Sequence, residues 1–91
     1  MSVKIGKYTY KKSTRKNKKL MTTVNGKIIH FGDPNMQHYH DKTGIWSNLD
    51  HNDNLRRLYY LTRSQGIKDS KGNLTKNNPM SPNWHSRNIL W

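Results

Sequence analysis

Hydrophobic and polar residues alternate most regularly over residues 20–31, on either side of the pair Asn25-Gly26. Asn-Gly tolerates the positive φ angles that a type I′ turn requires, so the pattern predicts a two-residue β-hairpin. Pairing Val24 with Lys27 then fixes the register, because side chains alternate between the two faces of a strand. The face expected to be buried carries Leu20, Val24, Ile29 and Phe31.

A further strand is predicted before this hairpin. Residues 4–11 place Tyr8 and Tyr10 on one side, and the polar residues 13–18 would connect this strand to the hairpin. Residues 1–32 are therefore expected to form a three-stranded antiparallel β-meander.

Residues 51–65 have the periodicity of a helix, with Asp50 or Asn52 as its cap and Gly66 as its stop. We expect this central helix to pack on the sheet. The positions that recur at helical spacing are Leu55, Leu58, Tyr59 and Thr62. The opposite flank carries Arg56, Tyr60 and Arg63.

Residues 79–91 form a C-terminal aromatic segment. Ser81 followed by Pro82 is typical of a helix start, and Trp84 and Trp91 would share one side of that short helix. These two tryptophans are expected to anchor the fold or an interface. The predicted fold class is α+β, as a single basic domain of residues 1–91 with a three-stranded meander, one central helix and the aromatic segment.

The strong positive charge of the chain indicates a binding function. Seventeen Lys and Arg residues oppose five Asp and no Glu, so the net charge is +12, and residues 1–32 carry nine cations and no acid. Proteins this basic usually meet phosphate or an acidic protein surface. The densest cluster, called the basic loop below, contains Lys11, Lys12, Arg15, Lys16, Lys18 and Lys19.

The basic loop admits three interpretations. It binds nucleic-acid phosphates, with affinity gained from counterion release, or it binds an acidic protein surface through charge attraction. The third interpretation is that the loop is simply solvated. On the helix, Arg56, Tyr60 and Arg63 could stack on bases or grip phosphates, because guanidinium and aromatic faces suit both tasks. The alternative is that they form the polar face of an ordinary surface helix.

The five histidines match no strong metal-ligand signature. His38 and His40 would share one side of a strand near Asp50 and His51, and hydrogen-bonded histidines are the preferred interpretation. We expect no metal and no cofactor. Residues 50–55 resemble the His and Asn elements of small ββα nucleases, but the helix offers no second ligand. We therefore expect no enzymatic activity, and a metal-dependent nuclease is kept as an alternative.

Four stretches, GKIIHFGDP, HYHDK, NLRRLYYLTRS and SPNWHSRNILW, resemble a family of small, basic, largely uncharacterised proteins encoded by large DNA viruses and some phages. The resemblance covers nearly the whole chain. It implies a viral origin and supplies no mechanism. The matching positions are His30, Phe31, Gly32, Arg56, Arg57, Tyr60, Arg63, Ser86, Leu90 and Trp91.

The absence of cysteine excludes a disulfide framework and thiolate metal sites. No apolar run approaches the roughly 18 residues of a membrane span, and no signal-peptide pattern opens the chain. We expect a location in the virion or the host cell interior, cytoplasm or nucleus, without secretion or membrane contact.

The predicted function is that of a non-enzymatic, virus-encoded structural or accessory protein. It would bind nucleic acid through the phosphate backbone, or an acidic viral protein, by means of the basic loop and the arginine face of the helix. The alternative is a minor capsid protein with purely protein contacts, as part of a larger virion assembly.

Overall fold

A computed structural model describes residues 2–91 and shows an α+β fold with a four-stranded antiparallel sheet in the order β1-β2-β3-β4. The predicted fold class is confirmed, but the sheet has four strands and not three. The strands are β1 (Ser2–Ile5), β2 (Tyr8–Lys12), β3 (Leu20–Val24) and β4 (Lys27–Phe31). The helices are α1 (Asn54–Ser64) and α2 (Pro82–His85), with 3-10 turns at Ser47–Leu49 and Thr75–Asn77 and a π turn at Ser86–Leu90.

The extra strand arises because the predicted strand over residues 4–11 is two strands joined by a tight turn. Ile5 pairs with Tyr8, and Gly6 between them has a φ of 61°. Glycine reaches this left-handed conformation without a steric penalty, so Gly6 reverses the chain. The prediction of one continuous strand was wrong, because the core-facing side chains shift from odd positions at Val3 and Ile5 to even positions at Tyr8 and Tyr10 across the turn.

The hairpin of β3 and β4 is confirmed in its register and in its turn. Val24 pairs with Lys27, and Asn25 and Gly26 have φ angles of 50° and 80°. All four residues of the predicted core face are buried. Met21 is also buried although it lies on the opposite face of the sheet, and the hydroxyl of Thr14 in the loop before β3 donates a hydrogen bond to its sulfur.

The C-terminal segment covers the core face of the sheet. Trp91 donates its backbone N–H to the carbonyl of Ser86 and closes the π turn, which places two aliphatic side chains against the sheet. Each such side chain stabilises the fold by about 1.5–3 kcal/mol when fully buried. The buried cluster consists of Tyr10, Leu20, Phe31, Ile89 and Leu90.

His85 is fully buried beside this cluster and joins it to the sheet. Its Nδ1 lies 2.9 Å from the hydroxyl of Tyr10, and its Nε2 lies 2.6 Å from the carbonyl of Pro79. The carbonyl can only accept, so Nε2 donates to Pro79 and the hydroxyl of Tyr10 donates to Nδ1. Burial lowers the pKa of His85, which favours the neutral ring, and the hydrogen bond to Pro79 acts in the opposite direction.

Helix α1 is shorter than predicted and begins three residues later. Asp53, not Asp50 or Asn52, caps it by accepting from the backbone N–H groups of Leu55 and Arg56. Asn52 cannot take this role because it occupies a left-handed turn conformation with a φ of 54°. No helix within residues 2–91 has the length and apolar character needed to cross a membrane.

The orientation of α1 also corrects the expectation that its regularly spaced apolar residues pack on the sheet. The helix is held instead by the C-terminal segment: Arg87 Nη1 donates to the carbonyl of Leu61 and to the hydroxyl of Ser64. Leu55, Leu58 and Tyr59 consequently face solvent, with exposed fractions of 56%, 57% and 61%.

The start of the C-terminal helix follows the prediction. Ser81 accepts from the backbone N–H of Asn83, and Pro82 occupies the first turn. Proline suits this position because its missing N–H would have no partner inside the helix. The helix does not continue to Trp91 as regular α-structure, since it widens into the π turn after His85.

Candidate functional site

The basic loop connects β2 to β3 and is fixed at its two ends. The backbone N–H of Ser13 donates to the carbonyl of Lys19, and the backbone N–H of Lys18 donates to the carbonyl of Arg15. The hydroxyl of Ser13 also lies 2.7 Å from Nδ1 of His30 on β4. The loop is therefore an ordered platform that presents Arg15 and Lys16 to solvent.

The structure separates the lysines at the start of the loop. Lys11 pairs with Met21 and Lys12 with Leu20, so the two side chains leave opposite faces of the sheet. Lys12 reaches the core-face side and holds its ammonium 5.3 Å from the ring centre of Trp46. Of this pair, Lys11 alone lies on the outer face, so the predicted cluster is divided between two surfaces.

Lys19 does not belong to the exposed cluster, which corrects the prediction that it contacts a partner. Its side chain is 1% exposed, and its ammonium donates to the carbonyl of Met36 and to Nδ1 of His38, both at 2.7 Å. Burial lowers the pKa of Lys19, while the carboxylates of Asp33, Asp41 and Asp50 act in the opposite direction.

Gly32 makes room for this buried lysine. A Cβ atom at Gly32 would lie 3.0 Å from a methyl group of Leu90 and 3.1 Å from Cβ of Lys19, and its φ is 81°. Only glycine meets both requirements without strain. The His-Phe-Gly stretch at the end of β4 therefore has a packing role beside Lys19.

His38 connects the buried lysine to an acid. Its Nε2 lies 2.6 Å from one carboxylate oxygen of Asp50, and the other oxygen is 3.0 Å from Nδ1 of the exposed His40. The backbone N–H of Asp41 donates to the same carboxylate. Burial and the neighbouring Lys19 lower the pKa of His38, and Asp50 acts against them.

Asp41 organises the next part of this loop. Its carboxylate accepts from the backbone and hydroxyl of Thr43 and from the backbone N–H of Trp46. The indole N–H of Trp46 then donates to the carbonyl of Lys19. These contacts satisfy the buried carboxylate within the fold, and within residues 2–91 no three His or Asp side chains are grouped to hold a metal ion.

An open groove of about 510 Å³ lies between the base of the basic loop, helix α1 and the C-terminal segment. Four of the predicted binding cations line it: Lys18 and the buried Lys19 from the loop, and Arg56 and Arg63 from the helix. Arg15, Lys16, Lys11 and Lys12 do not line it. The groove thus unites one part of the basic loop with the arginine face, although Lys18 and Arg56 are 38 positions apart in sequence. Its other walls include Asp33, Gln37, Tyr59, Tyr60 and Trp91.

Tyr60 cannot offer its ring to a base in the predicted manner, because Trp91 already stacks on it. Their ring centres are 4.1 Å apart and the planes differ by 7°. Burial raises the pKa of Tyr60, against the smaller influence of Ser86, Arg87 and Arg63. The ring that remains exposed beside Arg56 and Arg63 is that of Tyr59.

The two predicted tryptophan anchors both take part in the fold. Trp91 stacks on Tyr60 and accepts a hydrogen bond from Nε of Arg57 at its main-chain oxygen. Trp84 meets Tyr8 edge-to-face, with ring centres 5.6 Å apart. Trp91 therefore holds helix α1, and Trp84 packs on the first hairpin of the sheet.

Sequence reasoning missed two features of this site, the exposed ring of Tyr59 and the buried line from Lys19 to Asp50. A signal was available for the first, because consecutive tyrosines on a helix must point about 100° apart and only one can face the fold. No sequence signal indicates the buried line from Lys19 to Asp50. Lys18 and Lys19 are adjacent lysines, and only the direction of their side chains decides which of them is buried.

Comparisons with known proteins give no match for this chain among family models, curated proteins or solved structures.

Proposed function

We propose that this protein binds nucleic acid through the phosphate backbone, without catalysing a reaction. The observation that supports this best is the meeting of Lys18, Arg56 and Arg63 in one groove beside the exposed ring of Tyr59. Cations that track a backbone, combined with aromatic rings that accept bases, are the usual features of single-stranded nucleic-acid sites.

The basic loop extends this surface outside the groove. Arg15 and Lys16 are exposed at its tip, and no acidic residue occurs before Asp33. Such a surface would gain affinity from counterion release whether the ligand is a duplex or a single strand. The groove adds a reason to favour the single strand, because only unpaired bases can stack on Tyr59.

The second candidate is an acidic protein partner, as expected for a structural or accessory protein of a virion. The same cations would attract it. The apolar side chains that α1 presents to solvent favour a protein contact at that face. Viral origin and a place in the virion stay predictions from the sequence resemblance.

The test is a salt titration with fluorescent, short random-sequence DNA, single-stranded and duplex, from about 50 to 200 mM salt. We expect the logarithm of the association constant to fall linearly with the logarithm of salt concentration. Replacing Arg15 and Lys16 by Ala should reduce the slope by about 0.9 for each lost duplex contact and about 0.7 for each lost single-strand contact.

Lys71→Ala is the matched control, because Lys71 is exposed in a turn that does not line the groove. Its slope should equal that of the unmodified protein. Absence of binding at the lowest salt concentration would refute the proposal. A slope that the replacement of Arg15 and Lys16 leaves unchanged would mean that the DNA binds another part of the protein.

A further inference from the structure

Helix α1 presents a continuous apolar stripe to solvent, called the outer stripe below. Its members follow the spacing i, i+3, i+4 and i+7, so they lie along one side of the helix. The three largest side chains are each more than half exposed. The outer stripe consists of Leu55, Leu58, Tyr59 and Thr62.

The rest of the fold prevents the helix from turning this stripe inward. On the opposite side, Arg87 binds the carbonyl of Leu61, Asn83 binds the carbonyl of Ser64 at 3.0 Å, and Tyr60 stacks on Trp91. A rotation of the helix would break all three contacts. The described part of the chain therefore leaves the outer stripe uncovered.

This exposure is unusual for so polar a chain. Only 31% of its residues are hydrophobic, and two leucines and a tyrosine are placed together at the surface. Single exposed apolar residues need no explanation, but a contiguous patch with a polar border marks an interaction surface.

The border of the stripe indicates the chemistry of the partner. Arg56 and Arg63 lie along one edge, and α1 contains three arginines and no acid. Arg56 donates to the neutral amide of Gln37, and among residues 2–91 no carboxylate lies within ion-pair distance of Arg56 or Arg63. The border is thus a row of cations without partners of opposite charge.

We propose that the outer stripe docks an amphipathic helical segment of a partner protein, with apolar side chains on one side and carboxylates facing the arginine border. This recognition mode lays the apolar face of a helix on a complementary surface, and the charges set the orientation. A second copy of this chain fits poorly, because each copy carries a charge of +12 and the same arginine border. Like charges placed opposite one another oppose association.

The probe is a fluorescent synthetic helix with leucines at i, i+3, i+4 and i+7 and glutamates beside them. A second peptide has lysine in place of each glutamate. We expect the glutamate peptide to bind and the lysine peptide to bind at least about tenfold more weakly, as charge complementarity requires. The double variant Leu55→Ser, Leu58→Ser should weaken binding of the glutamate peptide by about tenfold or more.

Ile28→Ser is the matched control, because Ile28 is 53% exposed on the outer face of the sheet, away from the helix. It should leave peptide affinity unchanged. Failure of the glutamate peptide to bind, or equal affinity for the two peptides, would overturn the proposal. So would a dimer in sedimentation velocity that Leu58→Ser dissociates, since the stripe would then serve a second copy. The DNA salt slope of the double leucine variant should be unchanged, which separates this proposal from the nucleic-acid function.

Discussion

The ammonium of Lys19 donates a hydrogen bond to Nδ1 of His38 across 2.7 Å, in an interior where each side chain is 1% exposed. Since an ammonium carries hydrogens and no free acceptor, Nδ1 accepts and Nε2 carries the imidazole proton. Nε2 then donates to Asp50 at 2.6 Å. A cation, a neutral imidazole and a carboxylate therefore form one line that fastens the loop before α1 to the end of the sheet.

Lys19→Met should destabilise the protein, because it leaves Nδ1 of His38 and the carbonyl of Met36 without their buried donor. We expect a loss of about 1–3 kcal/mol in the free energy of unfolding. Urea denaturation followed by tryptophan fluorescence measures it.

Lys16→Met provides the comparison, because Lys16 is exposed in the same loop. Its stability should stay within about 0.5 kcal/mol of the unmodified protein. A Lys19→Met protein of full stability whose DNA affinity has fallen would restore Lys19 to the binding surface and contradict its assignment to the interior.

Acid should destabilise this fold through two buried histidines. Burial is the largest cause that lowers the pKa of His38 and of His85 below the ordinary value of 6.5. Below pH 6.5 these two histidines are protonated in the unfolded chain but remain largely unprotonated in the folded chain. The free energy of unfolding therefore decreases as the pH falls toward the folded pKa values. Well above pH 6.5 both states are neutral at these rings and the contribution is complete.

Thermal unfolding at several pH values between about 7.5 and 5.5, the range in which ordinary histidines titrate, measures this effect. The melting temperature should fall steadily as the pH decreases. Nitrogen NMR should show both rings neutral at a pH where the histidines of the urea-unfolded chain are already protonated. A melting temperature that rises on acidification would contradict the assignment.

The second hairpin could be predicted in detail from sequence because its information is local. Asn25 and Gly26 specify the turn, and the turn fixes every pair of β3 and β4. The first hairpin carries a weaker signal, since Gly6 followed by lysine also occurs in continuous strands.

The direction in which α1 faces could not be predicted, because distant residues decide it. Periodicity identifies the apolar side of a helix, but the usual inference that this side is buried requires apolar surface opposite it. Here Arg87 and Asn83 offer donors to the carbonyls of Leu61 and Ser64, 26 and 19 positions away. The side of the helix that carries Tyr60, Leu61 and Ser64 is therefore the one that docks.

Two neighbouring tyrosines should separate stability from binding. Tyr60→Ala removes the stack on Trp91, and such an aromatic pair contributes about 0.5–1.5 kcal/mol beyond the area it buries. Tyr59→Ala removes an exposed ring and should leave the free energy of unfolding nearly unchanged, while single-stranded DNA affinity falls by about 1–3 kcal/mol for the lost base contact.

A double-mutant cycle of Tyr60→Ala with Trp91→Ala isolates the stacking energy. The matched substitution Tyr59→Phe should retain DNA affinity, because a phenyl ring still stacks. If Tyr59→Ala binds single-stranded DNA as well as the unmodified protein does, the ring has no part in the site.

Gly6 should be essential for the four-stranded form of the sheet. Its φ of 61° is costly for any residue with a Cβ atom, although no neighbouring atom lies within 4 Å of the position such an atom would take. Gly6→Ala should therefore destabilise the protein by about 1–2 kcal/mol through backbone strain alone.

Gly66→Ala is the control, since Gly66 has equal space and no positive φ. Both variants are compared by urea denaturation, and amide hydrogen exchange in β1 should accelerate in Gly6→Ala alone. Equal stability of the two variants would mean that the left-handed conformation of Gly6 carries no strain, and would contradict its role in the turn between β1 and β2.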